Sequence, residues 1–117
     1  NKYEVQERCT DVAVRDNSAE GMLRKFVATK RVEGIAESTL KRYADENLKL
    51  IHFLNKPLYK VTTYDLRFYL SYRREKSENR VSNRTLNGMR RCYSSFFSWL
   101  ASEGLIGRNP CAALKQI

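Results

Sequence analysis

The sequence predicts an all-α protein, on three observations. Proline and glycine are scarce, two and five residues in a chain of 117. No useful stretch alternates β-branched and polar residues as a strand would, and apolar residues recur instead at helical spacing. The length suits one domain, and 42% apolar against 30% charged residues leaves enough to bury a core.

Residues 1–17 are weakly patterned (Tyr3, Val5, Cys9, Val12, Val14) and are expected as an N-terminal extension, a short helix or a frayed end. Residues 18–117 then make the domain. A first helix is predicted from Ser18, a good N-cap, to about Glu33, with Gly34 as its stop. Ala19, Met22, Leu23, Phe26 and Val27 share its apolar face. A second runs from about Glu37 to Leu54 with Leu40, Tyr43, Ala44, Ile51 and Leu54 as its stripe, and Pro57 lies in the segment that ends it. The third opens on Thr62, with Asp65 three residues later. It buries Leu66, Tyr69 and Leu70 before a polar stretch, Arg73–Arg80. The fourth is capped by Ser82 and closed by Gly104, about 30 Å long, and aligns Leu86, Met89, Tyr93, Phe96, Phe97 and Leu100. Leu105 and Ile106 are placed to fold back on its last turn. Asn109-Pro110 then breaks the chain, and Cys111–Leu114 suggest a short packed tail.

One echo links two of these helices. Gly34-Ile-Ala-Glu-Ser-Thr-Leu40 and Arg80-Val-Ser-Asn-Arg-Thr-Leu86 both carry a small residue at the cap, then Thr and Leu in the first turn. Two helix starts of similar make suggest a similar task, and a helix start is where backbone N–H groups can meet a phosphate.

The formal charge of +9 points to a polyanionic partner, nucleic acid first and an acidic membrane surface second. Placement sharpens this. Opposite its apolar stripe the fourth helix carries Arg84, Asn87, Gly88, Arg91, Ser94, Ser95 and Ser98, and no acid occurs from Asn79 to Ser102. An ordinary solvated face mixes Glu with Lys. Arginine, amide and small hydroxyls suit a duplex groove: Arg can fork onto guanine or phosphate, and Asn can pair with adenine. The second helix offers Ser38, Thr39, Lys41 and Arg42, but Asp45 and Glu46 follow on much the same side. Only its first turns should therefore address DNA. Lys30 and Arg31 are expected to clamp the DNA backbone. Arg67, Arg73 and Arg74 of the third helix read as a solvated face with a phosphate contact within reach.

Other chemistries find little material. No apolar run approaches a membrane span and no signal-peptide core opens the chain. Cys9, Cys92 and Cys111, widely spaced, read as reduced residues of a cytoplasmic protein, and no metal or cofactor is expected. Of seven tyrosines, Tyr43, Tyr69 and Tyr93 fall on buried stripes, and the others lack a clustered base; the single histidine, His52, has no partner in view. Nothing reads as catalytic.

Taken in order, Gly34–Tyr43, Val61–Leu66 with Tyr69-Leu70, Ser82–Asn87, Ser95–Leu100, Glu103–Ile106 and Asn109-Pro110 resemble the core-binding (SAM-like) domain of tyrosine recombinases, the phage integrase family. The likeness covers about Ser18 to Ile117. One departure is Ala36, where the family usually caps the second helix with Ser. The resemblance implies a bundle of four to five helices that grips one side of a recombination site, with the second and fourth helix starts facing the major groove. Carried over, the DNA-binding positions are Ser38, Thr39, Lys41, Arg42, Arg84, Asn87 and Arg91, and Lys30 joins them from the charge argument. The family's catalytic Arg, Lys, His and Tyr belong to a following domain, so this chain reads as a non-catalytic fragment. The fragment is expected to be a monomer, and the parent a tetramer on DNA. The competing expectation is a helical protein-interaction domain whose basic surface docks an acidic partner. A helix-turn-helix regulator fits less well, because the connections Asn55–Val61 and Glu75–Val81 exceed its roughly 3–4-residue turn.

Overall fold

Side chains at the helix ends explain where each element starts and stops in the computed structural model, which describes residues 17–76 and 80–117. The expected N-terminal extension therefore lies, but for Asn17, outside the described residues. Four α-helices follow in order: α1 (Ala19–Val32), α2 (Glu37–Leu54), α3 (Thr63–Lys76) and α4 (Asn83–Ser102), with a 3-10 turn at Leu58–Lys60 and no strand among the described residues.

Ser18 Oγ accepts the Gly21 N–H at 3.0 Å and starts α1, and Gly34 (φ 87°) ends it in the left-handed region that glycine adopts at least cost. α2 starts on Ala36 with no side-chain cap, the looser start that the departure at this position implied. It closes on Asn55 (φ 47°). α3 opens with a reciprocal cap: Thr62 Oγ1 accepts from Asp65 N at 3.2 Å while Asp65 Oδ2 accepts from Thr62 N at 2.9 Å. Ser82 Oγ accepts from Thr85 N at 3.2 Å, and at the far end of α4 Gly104 (φ 72°) lets Leu105 N reach Leu100 O at 2.9 Å and brings Ile106 into the core.

α4 is the pillar. Its Leu86, Met89, Tyr93, Phe96, Phe97 and Leu100 are all buried, as the sequence periodicity predicts, together with Gly88 and Cys92. Phe26 of α1 meets Phe96 at 5.2 Å, Trp99 at 5.7 Å and Tyr43 of α2 at 5.7 Å between ring centroids. Phe26 and Phe96, fully buried, each contribute about 1.5–3 kcal/mol.

Two expectations need correcting. The stripe of α2 runs through Leu40, Asn47, Leu50 and Ile51, so a polar residue lies on the buried line. Asn47 Nδ2 donates to Tyr43 O at 2.9 Å and across to Cys92 O of α4 at 3.1 Å, which offsets part of the cost of burying the amide, whose Oδ1 is buried without a partner among the described residues. In addition, Arg73 does not belong to a solvated face. It is drawn inward to Glu46 Oε2 (3.1 Å) and Tyr69 Oη (2.9 Å), and Tyr93 Oη donates to the same Glu46 oxygen at 3.3 Å. Burial opposes the Arg73 charge, but the bonds to Tyr69 and Glu46 hold its pKa above the ordinary value. These contacts also carry α3 on to Lys76, into the stretch expected to be irregular.

Candidate nucleic-acid interface

Helices α2 and α4 run side by side in the same direction. Arg42 lies against Gly88, Glu46 bonds Tyr93 and Asn47 bonds Cys92, so contacts advance together along both helices. The offset between Arg42 and Gly88 is the offset between the two echoed motifs, Leu40 with Leu86. The repeated motif thus marks a packing register: two similar helix starts are delivered to the same end of the bundle.

Gly88 is what lets the Arg42 side chain lie on α4. A Cβ there would overlap Arg42 Nη2 and sit 3.1 Å from its Cζ. The Arg42 guanidinium thus lies over the backbone of α4. The sequence placed Gly88 on the outward face for close approach to DNA; the structure gives that approach to Arg42. An isolated glycine inside a strong helical pattern is the signal for such a contact.

Arg42, Arg84 and Arg91 are exposed on this side of the bundle, and none has a carboxylate partner among the described residues; Lys41 is exposed as well, on the flank of α2 that carries the exposed Asp45 toward α1. Burial pushes the Cys92 thiol up, with Arg42 and Arg91 acting against it and Glu46 with it. Glu46, which would have repelled phosphate, is turned into the bundle onto Arg73. Ser38 is exposed and Thr39 half-buried in the first turn of α2, whose uncapped N–H groups can donate to an anion.

Other expected residues are placed differently. Lys30 is half-buried, paired to Glu33 at 3.3 Å and held over the Phe26 ring at 5.8 Å. It lines a groove with Glu33, Ser94, Ser95, Ser98 and Glu103. Arg31, expected as a clamp, is engaged by Glu37 at 2.9 and 3.4 Å, which holds that carboxyl below its ordinary range. Asn87 stays beside Arg84 and Arg91, but both ends of its amide are used: Nδ2 donates to Ile117 O at 2.7 Å and Oδ1 accepts from Ile117 N at 2.8 Å. The tail reaches it by running back along α4, where Asn109 Nδ2 donates to Ser98 Oγ at 3.2 Å and Cys111 lies on Ser94. Burial pushes the Cys111 thiol up to about 12. Asn87, Ser94 and Ser98 thus form the flank that carries the tail.

A family model described as the phage integrase N-terminal SAM-like domain matches residues 22–106. The chain belongs to that family. Comparison with the curated proteins and with the solved structures returns no match. The helices pack around one core, as a SAM-like domain does; among the described residues no group of His, Cys, Asp and Glu can hold a metal ion, and no helix is long and apolar enough to cross a membrane.

Proposed function

We propose that this SAM-like domain binds duplex DNA as the core-binding module of a tyrosine recombinase, gripping a recombination site without cleaving it. The observation that carries the reading is that Arg42, lying against Gly88, and the exposed Arg84 and Arg91 belong to the N-terminal halves of two parallel helices, with no carboxylate paired to them among the described residues. Arg84 and Arg91 lie two turns apart on α4, a spacing that lets one fork onto a base edge while the other holds a phosphate. Ser38, Thr39, the open N–H groups of α2 and Lys30 add phosphate contacts. Asn87 keeps the tail in place beside them; to read a base it would first release Ile117. Strand cleavage is assigned to a separate catalytic domain, and assembly on DNA to the parent protein.

The test is a salt series of duplex binding, with polyglutamate as competitor. Four neutralised phosphates give a slope of log K against log salt of about −3 to −4. Arg91→Ala is expected to weaken selective binding by about 1–3 kcal/mol. Amide shifts on titration with duplex should centre on the first turns of α2 and α4; shifts elsewhere only would sink the assignment.

A further inference from the structure

A second surface is neither core nor part of the cationic face. On α3, Tyr64, Phe68 and Tyr72 recur every four residues and stand in solvent, 77, 67 and 40% exposed. Phe53, near the end of α2, joins the row with its ring 6.3 Å from Phe68 and 4.8 Å from Tyr72. Single exposed apolar residues are ordinary, but a contiguous aromatic row marks a binding surface.

Cations surround the row. Arg67 lies over the Tyr64 ring at 5.5 Å and Lys76 over Tyr72 at 5.7 Å. Lys49, Arg73 and Lys76 line a notch of about 330 Å³ floored by Phe53, Tyr69 and Tyr72. The neighbouring acids are engaged, Glu46 by Arg73 and Lys49, and Glu75 by Arg80. We propose that this face docks an acidic amphipathic segment of a partner protein, with apolar side chains on Phe53, Phe68 and Tyr72 and carboxylates reaching Arg67, Lys49 and Lys76.

Charge complementarity selects this occupant. A second copy on a two-fold axis would set the same cationic rim against itself. Duplex DNA takes up a phenylalanine singly, against a thymine methyl or as a wedge in a kinked step, and not as a row of four rings. Single-stranded nucleic acid needs open ring faces to stack on, and Arg67 and Lys76 lie over those of Tyr64 and Tyr72. The surface uses α3 and the last turns of α2, while the cationic face uses the first turns of α2 and α4, so a partner and DNA can be held at once.

The probe is a synthetic helical peptide with Leu and Phe at i, i+3, i+4 and i+7 in a glutamate background, titrated into the full chain and followed by amide shifts. Its controls are the same peptide with lysine for glutamate, and oligothymidine. Saturable shifts on α3 and the end of α2 are expected. They should weaken at least tenfold in Phe68→Ser and in the Lys49→Glu, Lys76→Glu double variant, and stay unchanged in Arg84→Ala, with melting temperatures confirming that each variant is folded. Equal binding of the lysine peptide, oligothymidine binding to these rings, self-association abolished by Phe68→Ser, or no peptide shift each overturns the proposal. None of these outcomes touches duplex binding by α2 and α4, which is read separately.

Discussion

Replacing Gly88 with alanine should separate stability from DNA binding. In a helix interior alanine is favoured over glycine by about 0.8–1 kcal/mol. The added Cβ overlaps Arg42 Nη2 and lies 3.1 Å from Cζ and 3.5 Å from Nη1. Those atoms end a long exposed side chain that no carboxylate holds among the described residues, so the guanidinium can swing away while the backbones of α2 and α4 stay in place. The net effect is a gain of about 0.5–1 kcal/mol, a rise in melting temperature of about 2–6 °C for a domain of this size. Binding should move the other way. With Arg42 displaced from its seat over Gly88, duplex affinity is expected to fall about tenfold, or about 1.4 kcal/mol. Far-UV circular dichroism melts and fluorescence anisotropy with a duplex selected from a random pool measure the two effects. A cycle with Arg42→Ala should show the two substitutions overlapping in binding rather than adding. A lower melting temperature would refute the reasoning, because it would mean the helices themselves are forced apart. Unchanged affinity would refute it too, by removing Arg42 from the interface.

Three further outcomes are expected. Asn87→Ala should free the tail, seen as faster hydrogen exchange at the Ile117 amide, with a stability loss of about 1 kcal/mol because the two hydrogen bonds it removes lie at the surface. Arg73→Met should cost about 2–3 kcal/mol in urea unfolding by leaving Glu46 and Tyr69 short of a partner, with no change in the salt slope of DNA binding. For Asp65, burial would raise the pKa, but the bonds from Lys56 and from Thr62 outweigh it and the pKa is lowered. A lowered folded-state value means stability that is complete above the ordinary Asp pKa of about 3.9 and lost as pH falls through the folded value. Melts across that acid range should lose part of their slope in Asp65→Asn.

The helices were legible because their signals are local. Ser18, Thr62, Ser82, Gly34 and Gly104 act within one turn of themselves, and the aromatic stripe of α4 is set by helical period alone. So was the family, since the motifs that carry the resemblance lie in order along one chain. The cationic residues were legible as a pattern on each helix, because side chains at i and i+7 share a face in any helix. Asn47 shows where periodicity misleads: it sits on the apolar line of α2, and besides the local carbonyl of Tyr43 its amide nitrogen bonds the carbonyl of Cys92, 45 residues away, a partner no helical period reveals.

Everything that depended on which helix lies beside which was decided by tertiary packing. Gly88 became a seat for Arg42, Arg73 turned inward to Glu46, and Asn87 took the main chain of Ile117 instead of standing open. A side chain's partner is fixed by distance in space, and +9 of charge or a row of arginines cannot say which cations will find a carboxylate and which will be left facing solvent. The sequence determined the helices, their inner faces and the excess of positive charge. The parallel packing of α2 on α4 decided where that charge is left uncompensated.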